Sequence, residues 1–369
     1  MRFICTDCGN QASFSDDVVG LCTCGFPLEV HYDWEDSKQH RNIDHDDQSL
    51  WRYSAVLPQV SKSNRITLGE GFTTLSQAEN GWGIDLYIKD ETGNPTGSFK
   101  DRGMALAVSM AKEQGVQAIC LPSAGNAGIA AAAYCRKAGI QSHVFLPQTI
   151  PNSYLHQTER YAANVYLQGN SIADAGKHML DNKQDGWFDI STLKEPYRVE
   201  GKKTMGYEIA EQLGWRFPDA VIYPTGGGTG LIGMWKAFNE MKQLGWVDGS
   251  LPRMVCVQSS GCAPVSSAFE AGESSTQFWD SDITQALGLN VPGPIGGAWM
   301  LRILDDSGGT AITVSESDVA SATADINAKH NLNASYETGV LWLGLEKLAE
   351  QGWLKANQTV VAPITGVHR

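Results

Sequence analysis

The sequence predicts an α/β fold in which a mostly parallel sheet is covered by helices on both faces. Two observations support this prediction. From residue 84 onwards, short apolar segments of strand length alternate with segments of helical composition. Those apolar segments are bounded by turn residues, as expected of buried parallel strands. The length of 369 residues, with 42% hydrophobic and 19% charged residues, suits a globular chain of two domains.

The predicted elements follow one another in a regular order. Strands are expected at DLYIKD, at residues 118–123, and at SHVFLP, NVYLQ, AVIYP, RMVCVQ, TAITV and TVVAPITG. Helices are expected after Lys100, over the alanine-rich AGIAAAAYCRKAG ending at Gly139, from about residue 171, and over LIGMWKAFNEM. This alternation gives the α/β class.

Residues 1–33 form a separate small module in this prediction. Its cysteines occur in two pairs, each followed by glycine, and they are Cys5, Cys8, Cys22 and Cys24. The two pairs resemble a zinc ribbon, because glycine permits the tight turn that directs two thiolates at one ion. The second pair has the spacing C-x-C instead of C-x-x-C, so a bound zinc and a vestigial, empty site both remain open. Four thiolates leave no free coordination position, so zinc here would be structural.

The remaining polar and cysteine-containing segments predict structure and not chemistry. Residues 34–66 are rich in Asp and His, and we expect a solvated connector there. The other cysteines lie in apolar or helical segments and are expected to be small core residues; they are Cys120, Cys135, Cys256 and Cys262.

Charge and hydropathy exclude several classes of partner. The net charge of −13 argues against nucleic acid and anionic membranes, although a local site for a small anion remains compatible with it. The sequence shows no apolar run of signal-peptide length at its start and no transmembrane segment. We therefore expect a cytoplasmic protein without disulfide bonds.

A glycine cluster at residues 225–230, TGGGTG, follows one predicted strand and opens a helix. Successive backbone N–H groups at a helix N-terminus bind anions such as phosphate. The overlapping segment GTGLIG, residues 228–233, matches the dinucleotide fingerprint, which requires an acidic residue at the end of the next strand. That strand ends at Gln258, so a phosphate-binding loop is favoured over NAD binding.

Two further segments have the composition of a reactive site. The loop SAGNAG, at residues 123–128, offers backbone N–H groups for a carboxylate and the amide of Asn126 for a phenolate-like oxygen. In GNPTGSFKDRGM, Lys100 is the long reactive group among small residues. A lysine in an apolar cleft loses its proton more easily and becomes a nucleophile. One lysine, a phosphate loop and an anion loop with an amide are what pyridoxal phosphate requires.

These motifs resemble those of the fold-type II pyridoxal-phosphate enzymes, and most of all those of the threonine synthases. The resemblance covers about residues 68–366, in LGEGFTTL, KDETGNPTGSFKDRGM, SAGNAGIAAAAY, YRVEGKKTMGYEIAEQL, PTGGGTG and a final strand ending in TG. It implies the tryptophan synthase β-like fold, with two open twisted α/β domains. An N-terminal cysteine ribbon also occurs in long threonine synthases.

The resemblance implies a role for each matching residue. Lys100 would bind the cofactor covalently and transfer protons, Asn126 would donate to the ring oxygen, and Thr365 would face the pyridine nitrogen. The cofactor phosphate would be bound by Gly226, Gly227, Gly228, Thr229 and Gly230. The substrate would be bound by Ser123, Ala124, Gly125, Asn126, Ala127 and Arg198.

The implied activity is that of a lyase that converts O-phosphohomoserine and water to threonine and phosphate, by γ-elimination and β-addition. Three departures concern the substrate. Ala124 and Ala127 replace hydroxyl residues that are usual in threonine synthases, and Tyr336 stands where many relatives have proline. Asp189 stands in the probable place of an asparagine that serves the substrate phosphate, where a carboxylate would repel the dianion.

These departures leave alternatives open. Arg198, Lys202 and Lys203 either supply positive charge for the phosphate or form a solvated helix start. The alternative activity is that of a dehydratase, ammonia-lyase or β-replacement enzyme acting on a small hydroxy- or diamino-acid. A third possibility is a catalytically inactive, ligand-sensing relative, against which the intact Lys100 argues.

The resemblance also predicts the domain organisation. After the module of residues 1–33, we expect residues 34–89 and 193–369 to form a large pyridoxal-phosphate-binding domain. Residues 90–192 would form a small mobile domain, with the active site in the cleft between the two. A homodimer is expected on the same basis.

Overall fold

The computed structural model describes residues 1–13, 20–34, 41–280 and 284–369, and these residues form three sheets and ten α-helices. The strands are β1 (Arg2–Cys5), β2 (Gln11–Ser13), β3 (Leu28–His31), β4 (Thr74–Ala78), β5 (Asp85–Asp90), β6 (Ala118–Pro122), β7 (Gln141–Leu146), β8 (Asn164–Leu167), β9 (Trp187–Asp189), β10 (Ala220–Pro224), β11 (Arg253–Ser259), β12 (Thr310–Val314) and β13 (Thr359–Ile364). The helices are α1 (Lys100–Glu113), α2 (Asn126–Ala138), α3 (Asn152–Glu159), α4 (Ile172–Asn182), α5 (Tyr197–Gln212), α6 (Thr229–Gln243), α7 (Pro264–Glu270), α8 (Gly297–Asp306), α9 (Val319–His330) and α10 (Tyr336–Glu350).

The largest sheet has six strands in the order β12-β11-β10-β13-β5-β4. All neighbouring pairs are parallel except β4 with β5. The strands β10, β13 and β5 are adjacent, so their carboxyl ends lie side by side at one edge of the sheet. In open α/β sheets this is the edge where ligands bind.

Helices cover both faces of this sheet, as the sequence predicts. One face packs on α5, α6 and α8 through a core that includes Met205, Ile232, Phe238 and Met300. The opposite face packs on α9 and α10, with Ile326 and Leu345 in its core. Both faces are therefore apolar, which explains why strands such as AVIYP are hydrophobic at every position.

A second sheet has four parallel strands in the order β8-β7-β6-β9, and all of it lies within residues 118–189. Its main core is formed with α1 and α2 and contains the run Met104 to Val108 together with Ala130 and Ala131. The small alanine side chains allow α2 to pack closely against α1 and the four-stranded sheet. This helix ends at Gly139, whose φ of +76° makes it the left-handed cap that the sequence predicts.

The N-terminal module is a three-stranded antiparallel sheet in the order β2-β1-β3. Its strand β3 packs against the helix pair α5 and α6. There Lys236 of α6 donates a hydrogen bond to the backbone oxygen of Val30, and Tyr32 donates to Glu200 of α5. The module is thus attached to the larger sheet and not isolated from it.

The prediction of a solvated connector over residues 34–66 is wrong for its second half. Residues 35–40 lie outside the described part of the chain, and residues 41–48 are mostly exposed. Leu50–Val56, however, form a short 3₁₀ segment whose Trp51 and Tyr53 are buried in the core. The hydroxyl of Tyr53 donates a hydrogen bond to Glu211 of α5 over 2.6 Å. This 3₁₀ segment is therefore packed against α5.

The four dispersed cysteines, Cys120, Cys135, Cys256 and Cys262, are all buried, as predicted. Among the described residues, no helix combines the length and the apolar character needed to cross a membrane.

Candidate active site

One pocket lies between the six-stranded and the four-stranded sheet and brings together every predicted cofactor and substrate residue. The empty space among its lining residues is about 890 Å³, with the solvent at its open mouth included. The predicted residues that line it are Lys100, Ser123, Ala124, Gly125, Asn126, Ala127, Arg198, Gly226, Gly227, Gly228, Thr229, Gly230 and Thr365. The sheet topology explains their meeting, because they follow the carboxyl ends of β5, β6, β9, β10 and β13.

Lys100 is the first residue of α1, and its amine faces the pocket. The ammonium nitrogen lies 4.0 Å from the centroid of the Phe99 ring. Burial, assisted by the nearby charge of Arg198, lowers the pKa of Lys100 from 10.5 to about 7, while Glu337 acts in the opposite direction. At neutral pH a large fraction of this amine is therefore unprotonated and nucleophilic.

The backbone around Lys100 is held from two sides. The Phe99 N–H donates to the carbonyl of Thr365 over 3.1 Å, which ties the lysine loop to the residue that ends β13. Asp101 accepts a hydrogen bond from the Thr96 N–H over 2.6 Å and another from the Thr96 hydroxyl. The lysine position is thus fixed by hydrogen bonds on both sides of residue 100.

Two residues further along α1, Arg102 forms a fully buried ionic network. It pairs with Glu91 over 2.6 Å and with Glu208 over 2.5 Å, and Lys89 also pairs with Glu208 over 2.8 Å. Two cations and two carboxylates balance in charge. The network joins the start of α1 to β5 and to α5, and so fixes the helix end that carries Lys100.

The asparagine loop opens α2 with Asn126 as its first residue. Its shape depends on Ser123, whose hydroxyl accepts from the N–H groups of Gly125 and Gly128 and donates to the Gly125 carbonyl. The side chain of Ser123 is therefore used within the loop. The first backbone N–H groups of α2 are what the loop presents to an anion.

The amide of Asn126 is oriented by a distant residue. Its oxygen accepts a hydrogen bond from Nε of Arg369 over 3.0 Å, while Arg369 also donates to the Thr96 carbonyl. Because the amide oxygen is occupied in this way, the amide nitrogen of Asn126 is the group left to donate to a ligand.

The glycine loop is closely enclosed by its neighbours. At Gly228, where φ is +79°, an added Cβ would collide with Met300, and at Gly230 it would collide with the hydroxyl of Tyr223. Among the described residues, the N–H groups of Gly226, Gly227 and Gly228 have no protein acceptor. These donors and the N-terminus of α6 form a cradle for an anion.

Arg198 and Tyr223 each leave a buried polar atom without a partner in the described part of the chain. Arg198 is 2% exposed and donates to the carbonyl of Ile190 over 2.8 Å, but its Nε has no acceptor. The hydroxyl of Tyr223 is likewise unpartnered. Such atoms cost free energy unless a ligand satisfies them, and both residues line the pocket.

The sequence suggests that the carboxylate of Asp189 would repel a substrate phosphate, but the structure places this carboxylate elsewhere. Its carboxylate accepts from the N–H and hydroxyl of Ser191 and lies 3.4 Å from the amine of Lys194. Asp189 is not among the pocket-lining residues. A phosphate bound near Arg198 would therefore not meet an unpaired carboxylate from this position.

Several lining residues have no sequence motif that identifies them. They are Tyr154, Thr192, Tyr223, Glu337 and residues 287–291. Glu337 accepts from the Gly288 N–H over 2.7 Å and from the hydroxyl of Ser335, and so positions the 287–291 segment against the glycine loop. A lone glutamate after Tyr336 gives no signal for this role in the sequence.

The four cysteines of the N-terminal module converge on one point. The sulfur atoms of Cys5, Cys8, Cys22 and Cys24 all lie within 4.8 Å of one another. The Cys5–Cys24 and Cys8–Cys22 pairs are separated by 3.4 Å and 3.7 Å, close to the roughly 3.8 Å between ligands of tetrahedral zinc–thiolate sites. The geometry suits a structural metal.

The donors of the pocket fit pyridoxal phosphate. The glycine cradle suits the phosphate, the Lys100 amine suits the aldehyde, the Asn126 amide nitrogen suits the ring oxygen, and the hydroxyl of Thr365 suits the ring nitrogen. No pocket-lining carboxylate other than Glu337 is present among the described residues, and Glu337 is occupied by hydrogen bonds.

The sequence is similar to that of a known family over most of its length. The family described as pyridoxal-phosphate dependent enzyme matches residues 66–366. The threonine synthase of Methanocaldococcus jannaschii is 31% identical over 98% of this chain and 91% of that protein. The threonine synthase of Methanosarcina acetivorans is 32% identical over 98% of this chain and 90% of that protein.

Solved structures show the same fold. The processed form of threonine deaminase isoform 2 from Solanum lycopersicum superposes with a TM-score of 0.71 and 22% identity, over 90% of this chain and 92% of that one. Maize serine racemase superposes with a TM-score of 0.69 and 19% identity, over 81% and 88% of the two chains. The predicted fold-type II architecture is confirmed by these likenesses.

Proposed function

Because the chain belongs to the family of pyridoxal-phosphate-dependent enzymes, we propose that it is a threonine synthase, which converts O-phosphohomoserine and water to threonine and phosphate. The observation that carries the proposal is the position of Lys100, whose amine has a lowered pKa and shares one pocket with the glycine cradle. The similarity to threonine synthases over nearly the whole chain supports the choice of substrate.

The cofactor, when bound, supplies the electron sink that makes protons next to the substrate amine removable. The chain's own residues would do the rest. The N–H groups at the start of α2 would bind the substrate carboxylate. Lys100 would accept the proton from the α-carbon, pass it on within the site, and only then accept a proton from the β-carbon, as suits an amine whose pKa lies near 7.

Arg198 would bind the phosphate that leaves the γ-carbon. Its guanidinium is buried and faces the pocket, and its Nε has no acceptor among the residues that the structure describes. Burial lowers the pKa of Arg198, yet guanidinium remains charged at neutral pH, so it offers a permanent cation to a dianion. This supports a phosphate leaving group over the hydroxyl or amine of the alternative dehydratase and ammonia-lyase activities.

A substrate panel on the holoenzyme tests the proposal. O-phosphohomoserine should release phosphate and form threonine, whereas threonine and serine should release little ammonia or keto acid. Lys100→Ala should abolish the absorbance of covalently bound cofactor and lower the rate by at least about 10²-fold. Lys112→Ala, at the other end of the same helix, is the matched control and should retain both. Release of ammonia and keto acid without phosphate release would contradict the proposal.

We also propose a homodimer and a mobile small domain formed by residues 90–192. The four-stranded sheet falls within that range, which supports the boundary. Sedimentation of the holoenzyme should give twice the chain mass of 40.0 kDa. A single-chain mass at micromolar concentration would contradict the dimer.

A further inference from the structure

Lys202 lies behind the glycine loop and has no role in the reaction described so far. It is on α5, one turn after Arg198, and is fully buried. Its amine donates a hydrogen bond to the hydroxyl of Thr229 over 2.7 Å. Thr229 is the first residue of α6 and lines the pocket.

Among the described residues, no neighbouring carboxylate balances a positive charge on Lys202. In the described part of the chain no carboxylate lies within 4.0 Å of its amine, whereas the next residue, Lys203, pairs with Glu200 over 2.6 Å and with Glu240 over 2.9 Å. Burial, together with the charges of Arg198 and Lys100, lowers the pKa of Lys202 well below its ordinary value, and Glu195 only partly opposes this. A buried amine beside two cations lacks an anion.

We propose that Lys202 is a positioning residue for the cofactor phosphate and acts through the hydroxyl of Thr229. Because the Thr229 oxygen accepts from the Lys202 amine, its own O–H proton remains free to be donated into the pocket. A phosphate dianion in the glycine cradle would receive that hydrogen bond and would supply the negative charge that the amine lacks. This inference rests on the proposed function, since it requires pyridoxal phosphate in the pocket.

The alternative role for Lys202 is structural. Its side chain packs between α1 and α5, and an added Cβ at Gly103 would lie 3.1 Å from the Cε of Lys202. Methionine has a similar unbranched length without the charge. Lys202→Met would therefore preserve a purely structural function and remove an electrostatic one.

The test compares two aldehydes that differ by the phosphate. Apoprotein of wild type and of Lys202→Met is titrated with pyridoxal 5′-phosphate and with pyridoxal, and binding is followed by the absorbance of the aldehyde bound to Lys100. The dissociation constant for pyridoxal phosphate should increase by about 10- to 100-fold, the range for loss of a charge-assisted hydrogen bond. The dissociation constant for pyridoxal should remain within about 2-fold.

Three further variants keep the result interpretable. Thr229→Val, which removes the hydroxyl from a different helix, should also weaken pyridoxal phosphate selectively, and the double variant should be little worse than either single variant. Lys203→Met is the matched control, because it disrupts the ionic pairs of α5 with α6. It should lower the thermal stability of the apoprotein and affect both aldehydes alike.

The outcomes separate the two proposals. If wild type binds pyridoxal phosphate and Lys202→Met binds it equally well, or loses both aldehydes equally, the role of Lys202 is wrong and the proposed function stands. If wild type binds no pyridoxal phosphate at all, both proposals are wrong.

Discussion

At the residue scale, the reactivity of the pocket depends on which of its charged side chains form ion pairs or hydrogen bonds within the protein and which do not. In the described part of the chain, the buried guanidinium of Arg198 forms no ion pair with a carboxylate, and burial together with this cation lowers the pKa of Lys100. Glu337 is the carboxylate of the pocket, and it is occupied by Ser335 and by the backbone of Gly288. The site is therefore locally positive in a chain whose net charge is −13, which suits anionic ligands that the bulk charge alone disfavours.

The pKa of Lys100 gives a prediction about pH. Only the neutral amine attacks an aldehyde, so the rate at which apoprotein binds pyridoxal phosphate covalently should rise with pH through a midpoint at about 7 and level off above it. Stopped-flow absorbance across pH 5.5 to 10 measures this, with the titration of free cofactor subtracted.

The neighbouring cation provides the control for this experiment. Because Arg198 lowers the pKa of Lys100, Arg198→Met should move the midpoint to higher pH. A wild-type rate that continues to rise up to the ordinary lysine pKa of 10.5 would show that the amine is not perturbed.

The residues of the site that sequence could predict are those in short local motifs. Lys100, Asn126 and residues 225–230 each follow a strand and begin a helix, so composition and spacing identify them. Tyr223 and Glu337 reach the pocket through the order of the strands, which local sequence does not reveal. Lys202 and Lys203 lie side by side in one charged run, and the solvated helix start kept open for them is wrong, because both are buried.

At the element scale, the first turn of α1 is anchored by a buried ionic network. The network of Arg102, Glu91, Glu208 and Lys89 links α1 with β5 and α5, all at 0% exposure. A buried ionic network adds little net stability over an apolar core, but it fixes geometry and is costly to break. Its position two residues after Lys100 makes it the support of the reactive amine.

Removal of one carboxylate from this network should destabilise the fold strongly. Glu208→Gln leaves Arg102 and Lys89 with one carboxylate between them, so the free energy of unfolding should fall by about 3–5 kcal/mol in urea denaturation at pH 7. Asp181→Asn, which breaks the exposed Lys177–Asp181 pair of 2.8 Å on α4, is the matched control and should change it by less than about 0.5 kcal/mol.

The comparison of wild type with Glu208→Gln also gives a test of pH dependence. The charges of Arg102 and Lys89 offset the burial cost of Glu208 and lower its pKa to about 2. The stabilisation from this group is complete above its unfolded pKa of about 4.3 and is lost as the pH falls towards 2, so the difference between wild type and variant should shrink over that interval. A difference that stays constant from pH 6 to pH 3 would contradict the assignment.

At the scale of the whole molecule, the N-terminal module packs behind the catalytic helices. Lys236 of α6 contacts Val30, Glu29 and Glu200, and Phe3 packs edge-on against Tyr197 with 6.3 Å between ring centroids. The sequence predicts the module and its four cysteines, because each cysteine pair is a short local motif. It does not predict the docking, because that depends on buried charges contributed by α5 and α6.

This arrangement predicts that loss of the metal from the module lowers thermal stability but leaves cofactor binding intact. We expect one zinc per chain, measured by elemental analysis of protein purified without chelators. Cys8→Ser should lose the zinc and lower the thermal midpoint by about 5 °C or more, because β3 would no longer be held against α5 and α6. No residue of the described ranges 1–13 and 20–34 lines the pocket, so the absorbance of bound cofactor should persist below the midpoint. Asp7→Asn, an exposed change between the first two cysteines, should retain zinc and midpoint. Wild-type protein without zinc, or a Cys8→Ser variant of unchanged midpoint, would show that the four sulfur atoms hold no structural metal.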